Sequence, residues 1–123
     1  MGYVFVDAEV GDVKRQFVKK VRLLVDTGAG FMVLPPKMAE ELGIEPVSKI
    51  DVTLADGSKK SVDLGFAYVR VMDREVVAHV LIMECPEPLL GTFTMQLLGL
   101  AVDPNTEQIK PSRSFAVGLL AQL

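Results

Sequence analysis

Residues 23–35 read LLVDTGAGFMVLP, and no other stretch restricts the fold of this chain so strongly. The apolar run Leu23-Leu24-Val25 ends on one carboxylate, Asp26. Thr27, Gly28, Ala29 and Gly30 follow, and a second apolar run extends from Phe31 to Leu34. An ionised carboxylate is expensive to bury unless something pairs with it. An acid at the end of a buried strand is therefore either a turn residue that escapes to solvent or a group with chemistry to perform. The local pattern suits the second case. The strand end holds the acid rigidly, and Gly28 lets the chain bend tightly and bring its N–H to the carboxylate. The Thr27 hydroxyl is placed to satisfy a buried backbone group nearby. Asp-x-Gly turns are common, so the triplet alone is a weak signal, and the apolar flanks are what sharpen it.

The remainder of the chain reads mostly as strands. Val4, Val6, Ala8 and Val10 alternate with Tyr3, Phe5, Asp7 and Glu9, a period-2 pattern. Gly11-Asp12 signals a turn, and Val13 to Val25 a second long strand. Ile50, Val52 and Leu54 alternate with Asp51 and Thr53 ahead of Asp56-Gly57, a type I′ hairpin signal, with a return strand from Lys59 through Leu64. Phe66–Met72 and Glu75–Met83 predict another hairpin turning at Asp73-Arg74, and a Pro104-Asn105-Thr106 turn separates two short strands. Helical signals cover Pro36–Leu42, opened by proline and closed by Gly43, and Thr92–Leu98, with Thr92 as N-cap and Gly99 as stop. The apolar tail from Ser112 to Leu123 suggests a short docked strand or helix. The 123 residues fit one domain, 1–123, of mainly β class: a barrel or closed sandwich with one or two short helices.

Charge and composition exclude several function classes. Net charge is −3, with acids and bases mixed along the chain, so no basic patch for nucleic acid and no polybasic membrane anchor is expected. The apolar runs are too short to span a bilayer as helices. The alternating segment after Met1-Gly2 does not resemble a signal peptide. A single cysteine, Cys85, allows no intrachain disulfide, and a cytoplasmic location is the expectation. Cys85 and the one histidine, His79, supply no metal-ligand cluster, so neither metal nor cofactor is expected. Gly28-Ala29-Gly30 is not a dinucleotide loop, because position 33 is valine and Pro35-Pro36 arrives where a helix should run.

A second element supports chemistry at Asp26: Leu89-Leu90-Gly91, followed by the helical stretch and Gly99. With Leu24-Val25-Asp26-Thr27-Gly28-Ala29, then Leu34-Pro35 and Met38 to Gly43, then Leu89-Leu90-Gly91 and Val102-Asp103-Pro104, the chain resembles the retropepsin-like (retroviral-type) aspartic proteases, especially the small cellular members found in prokaryotes. The resemblance covers residues 3 to 110 in order of elements. It implies a closed acid-protease barrel in which Asp26, Thr27 and Gly28 form the catalytic motif and Ala29 and Gly30 contact substrate. It also implies a flap over the site, Asp51 to Leu64, whose tip Ala55, Asp56, Gly57 and Ser58 would cover bound peptide. This chain departs from the family pattern with Thr92 and Phe93 where many relatives carry a charge, and with Gly30 where viral members have an acid.

Aspartic-protease chemistry needs two carboxylates about 3 Å apart that share one proton. Asp-Thr-Gly occurs once here; Asp56-Gly57-Ser58 and Asp103-Pro104 read as turns. A symmetric homodimer is the economical source of the second acid. The expected activity is hydrolysis of a peptide or unfolded protein. Ala29 cannot donate a hydrogen bond to the dyad as a serine could, so the expected pH optimum lies toward neutrality. Met32, Val33, Val52, Leu54 and Ile82 are candidate apolar liners of the site. The competing expectation is a non-catalytic dimerisation or peptide-binding module on the same fold, although binding alone gives no reason to hold an acid at a buried strand end.

Overall fold

The first two strands, β1 (Phe5–Gly11) and β2 (Val18–Asp26), form an antiparallel pair from Phe5↔Leu24 to Gly11↔Val18. The computed structural model describes residues 3–113 of the chain. Alternation predicts β1 well: Ala8 and Val10 face the core while Asp7 points to solvent. β2 starts later than its apolar content suggests, because residues 12–17 wrap around Asp12. The Asp12 carboxylate accepts the Phe17 N–H at 2.8 Å, and its carbonyl accepts the Arg15 N–H at 2.9 Å.

Seven further strands and two helices complete the described chain: β3 (Met32–Leu34), α1 (Pro36–Glu41), β4 (Ser48–Thr53), β5 (Lys59–Val71), β6 (Arg74–Ile82), β7 (Leu89–Gly91), α2 (Thr92–Leu98), β8 (Leu100–Asp103) and β9 (Gln108–Pro111). The main sheet runs β1-β2-β7-β3-β6-β5-β4, and an added β1–β5 pairing closes six of these strands into a barrel. β4 stays outside the ring as the outer strand of the β4–β5 hairpin. Closure leaves the six barrel strands without a free edge. β8 and β9 form a separate two-stranded ribbon.

Two apolar clusters hold these layers together. The larger fills the barrel and includes Val10, Leu23, Met32, Leu34, Val69, Val80 and Leu90. Each such side chain, fully buried, stabilises the fold by about 1.5–3 kcal/mol. The smaller centres on Val33, Val62 and Leu81 with Phe31, Ile50, Val52, Leu64 and Leu89 packed against it, beside the β4–β5 hairpin. Helix α1 contributes Ala39, and the buried Leu42 and Ile44 follow it. Gly43 ends it with φ +70°, as its position after the last apolar residue predicts.

Several local expectations require correction. The Asp56-Gly57 hairpin forms, but not through a type I′ turn, since only Gly57 has positive φ (86°). Leu54 O accepts the Gly57 N–H at 2.9 Å and Leu54 N–H donates to Ser58 O at 2.8 Å, the pattern of a three-residue loop with a glycine bulge. The turn with two left-handed residues lies instead at Met72 (φ 52°) and Asp73 (φ 65°), one residue earlier than Asp73-Arg74. β5 also runs unbroken through Gly65, where an added Cβ would lie 2.9 Å from the Glu45 carbonyl oxygen. That glycine permits a close backbone approach and does not end the strand. The tail beyond Arg113, expected to dock as a strand or helix, lies outside the described residues.

Candidate active site

Asp26 is the last residue of β2, and its position follows from pairing on both sides. β1 lies along one edge of β2 and β7 along the other, in parallel, with Asp26 opposite Gly91. The acid thus sits at a barrel rim, half-buried, with the chain turning immediately after it. The turn has the geometry expected of Asp-x-Gly. Gly28 N–H donates to Asp26 Oδ1 at 2.9 Å, and Ala29 N–H donates to the Asp26 carbonyl at 3.1 Å. A hydrogen-bonded carboxylate at a strand end is oriented, yet retains one oxygen free of protein partners among the described residues.

The loop from Thr27 to Gly30 is held from behind by the β7–α2 junction. Thr92 N–H donates to Ala29 O at 2.8 Å, Phe93 N–H to Gly30 O at 2.9 Å, and Thr92 Oγ1 to Thr27 O at 3.0 Å. Gly91 makes this approach possible. A Cβ there would collide with the Phe31 carbonyl oxygen and lie 2.5 Å from that of Gly30. Gly30 in turn lies under the Phe93 ring, 2.6 Å from where its own Cβ would stand, and Phe31 meets Phe93 edge to face at 5.7 Å. Of the carbonyls from Thr27 to Gly30, only that of Gly28 has no hydrogen-bond partner among the described residues.

Two roles read from sequence change here. Thr92 does not cap α2 with its side chain: Gly91 occupies the N-cap position, and the Thr92 hydroxyl reaches across to the Asp26 loop. Within one chain it is the Thr92 hydroxyl that satisfies a backbone group of this loop, the Thr27 carbonyl. Thr27 is exposed, and its hydroxyl makes no hydrogen bond among the described residues. In sequence Thr92 reads as a helix cap and, with Phe93, as a departure from a family pattern; its bond to Thr27, 65 positions away, leaves no local signature.

The hairpin residues Ala55, Asp56, Gly57 and Ser58 form an exposed tip, and nothing lies within 4 Å of a Cβ built on Gly57. Asp56 Oδ1 accepts both the Ser58 N–H at 2.8 Å and the Ser58 hydroxyl at 2.5 Å. The Ser58 hydroxyl, followed by its N–H, holds the Asp56 carboxyl below the usual carboxylate range. Among the described residues the hydrogen bonds of the tip stay within the hairpin, and none reaches Asp26. Of the candidate liners, Val33 and Val52 belong to the cluster beside the hairpin and Leu54 is half-buried. Met32 and Ile82 do not line the site: both face the barrel core. In such short, double-sided strands alternation alone does not tell which face is inside.

Cys85 and His79 make no hydrogen bond to this loop among the described residues. Burial, then Glu84 and Glu87, push the Cys85 thiol up, which makes it a poor nucleophile. The His79 ring packs against Phe66 at 4.8 Å and Phe31 at 5.7 Å. Among the described residues no group of three or more His, Cys, Asp or Glu could hold a metal ion, and no helix is long and apolar enough to cross a membrane. An open concavity of about 710 Å³ lies on β1, β2 and β5, lined by Asp7, Lys20, Arg22 and Arg70, and contains none of the Asp26 loop.

A family model described as "gag-polyprotein putative aspartyl protease" matches residues 17–98, the span that holds the Asp26 loop, the β4–β5 hairpin and the β7–α2 junction. Among solved structures, the fold is similar to the solution structure of the simian foamy virus (mac) protease, with 22% identity, 76% of this chain and 93% of that chain covered, and TM-score 0.56. It is also similar to the EIAV protease complexed with the inhibitor HBY-793, with 21% identity, 80% and 89% coverage, and TM-score 0.57. The foamy viral protease-reverse transcriptase in complex with RNA/DNA hybrid matches with 16% identity and TM-score 0.58, covering 76% of this chain and 12% of that one. At these identities the likeness is one of fold. No curated protein matches the sequence.

Proposed function

The chain belongs to the family of gag-polyprotein aspartyl proteases, and on that premise we propose that it is an aspartic endopeptidase acting as a homodimer, with Asp26 of each copy forming the catalytic dyad. The observation that carries this is the Asp26 turn. A lone carboxylate ends a barrel strand at the rim, oriented by the Gly28 N–H, with its second oxygen available to a partner. One Asp-Thr-Gly per chain supplies half of a dyad, and a two-fold axis at the rim supplies the other half. The half-buried Leu24 and Val25 and the unengaged Thr27 hydroxyl are the groups such an axis would cover.

Two carboxylates in contact cannot both ionise easily, so the pair holds one proton between them. The ionised member takes a proton from a water held between the two acids. The resulting hydroxide equivalent attacks the scissile carbonyl carbon while the protonated member hydrogen-bonds the carbonyl oxygen as charge develops there. The tetrahedral intermediate collapses with proton transfer to the leaving amine, and the dyad returns to its shared-proton state. The unpartnered Gly28 carbonyl is suited to accept a substrate N–H, and Ala29 and Gly30 border the same path. The hairpin tip, Ala55 to Ser58, acts as the lid that closes over an extended peptide. Its exposed, self-bonded geometry is what a movable cover requires.

Incubating the protein and an Asp26→Asn variant with a mixed peptide library tests the proposal. Cleavage by the parent and none by the variant is expected. Equal cleavage by both would remove Asp26 from the chemistry. Peptide binding without cleavage by the parent would favour the non-catalytic module.

A further inference from the structure

Thr27 and Gly28 share one peptide plane, and that plane is held at both ends. Its N–H donates to Asp26 Oδ1 at 2.9 Å, and its C=O accepts from Thr92 Oγ1 at 3.0 Å. A peptide unit is rigid, so fixing its carbonyl fixes the direction of its N–H. The first N–H groups of a helix have no acceptor within the helix. Here those of Thr92 and Phe93 take Ala29 O and Gly30 O, so the loop caps α2 while α2 pins the loop. Among the described residues the Thr92 hydroxyl makes the one side-chain bond from this junction to the loop, and it is made to the peptide unit that also bonds the carboxylate. One or two positions after Gly91, where many retropepsin-like relatives carry a charge, this chain has the uncharged Thr92 and Phe93.

We propose that Thr92 is a positioning residue for the peptidase reaction: through the Thr27–Gly28 peptide plane it sets the orientation of the Asp26 carboxylate. This rests on the assignment of Asp26 to the dyad. Without the Thr92 bond the plane can rock about its flanking dihedrals, and the Gly28 N–H no longer holds Oδ1 in one direction. Small misplacements of a reacting group cost rate more than affinity.

The test compares the parent with Thr92→Val, which keeps the shape and loses the hydroxyl, and Thr92→Ser, which keeps the hydroxyl. Peptide cleavage is measured together with the Gly28 amide resonance during acid titration, since that proton touches the carboxylate. Thr92→Val is expected to lower kcat about tenfold with KM within about twofold of the parent. The acid-induced shift of the Gly28 amide should fall about twofold, its contact with the carboxylate having lost its alignment. Thr92→Ser should restore both. Parent-like kcat and Gly28 shift in Thr92→Val would overturn the proposal. So would a serine variant as impaired as the valine one, because the methyl group and not the hydroxyl would then matter. If the parent cleaves nothing, or Asp26→Asn cleaves equally, the enzymatic reading falls, and the Gly28 resonance still decides whether Thr92 orients the carboxylate.

Discussion

At the scale of single residues, the site depends on what Asp26 touches and on the glycines that let its neighbours come close. Asp26→Asn keeps an oxygen for the Gly28 N–H, so the fold should persist while cleavage drops by a factor on the order of a thousand or more, read from initial rates beside an unchanged unfolding midpoint. Gly91→Ala should act the other way round. Its Cβ would enter a space already filled by the Phe31 and Gly30 carbonyl oxygens, which are backbone and cannot rotate away. Overpacking against backbone should cost about 3 kcal/mol or more, measured as a lowered urea midpoint, with activity lost as the Asp26 loop shifts. Ala29 bears on pH. With no hydroxyl to stabilise the ionised dyad, the pH–rate profile should peak toward neutrality, and a peak only below about pH 4 would contradict that expectation.

At the scale of elements, the β4–β5 hairpin is expected to be the moving part, and its tip is tied by Asp56 and Ser58. Because Ser58 lowers the Asp56 carboxyl from its ordinary value, the bonded tip is fully favoured above the unfolded value and is lost as pH falls through the lower, folded one. Ser58→Ala should raise the Asp56 titration midpoint and shift the tip amides, as followed by NMR; an unchanged midpoint would mean that the Ser58 contact does not order the tip. The elements that were legible in sequence share a trait: their signal is local. Alternation marks β1 and β4, proline and Gly43 bracket α1, and Gly99 at φ +66° stops α2. The elements that were not legible are those created by distant partners. β3 and β7 span Met32–Leu34 and Leu89–Gly91, too short for any period to declare itself, and exist because β2, β6 and each other supply the hydrogen bonds. Turn chemistry misled where tertiary packing overrode it, as at Met72-Asp73, where neither left-handed residue is glycine, and at Gly65, where glycine serves a close approach. The Asp26 turn was legible because its apolar lead-in and its glycine lie within one short stretch. The grip of Thr92 on that turn was not, because it depends on α2 folding back behind the barrel.

At the scale of the whole molecule, the chain carries one Asp-Thr-Gly, and the proposed chemistry needs two such acids. A stable pairing would bury on the order of 800 Å² per copy, enough to cover the rim around Leu24, Val25 and Thr27. Disrupting that contact should therefore abolish cleavage without unfolding the barrel, whose core is complete within one chain. A dilution series should show specific activity falling as the mass in solution drops from dimer to monomer. The most direct test of a dyad built from two copies is a subunit-mixing titration of parent with Asp26→Asn at constant total protein, allowed to exchange fully. If each site takes one aspartate from each copy, activity follows the square of the parent fraction and stands at about one quarter in an equal mixture. Activity that falls in proportion to the parent fraction, to about one half in that mixture, would show that one chain carries the whole site and would contradict the account.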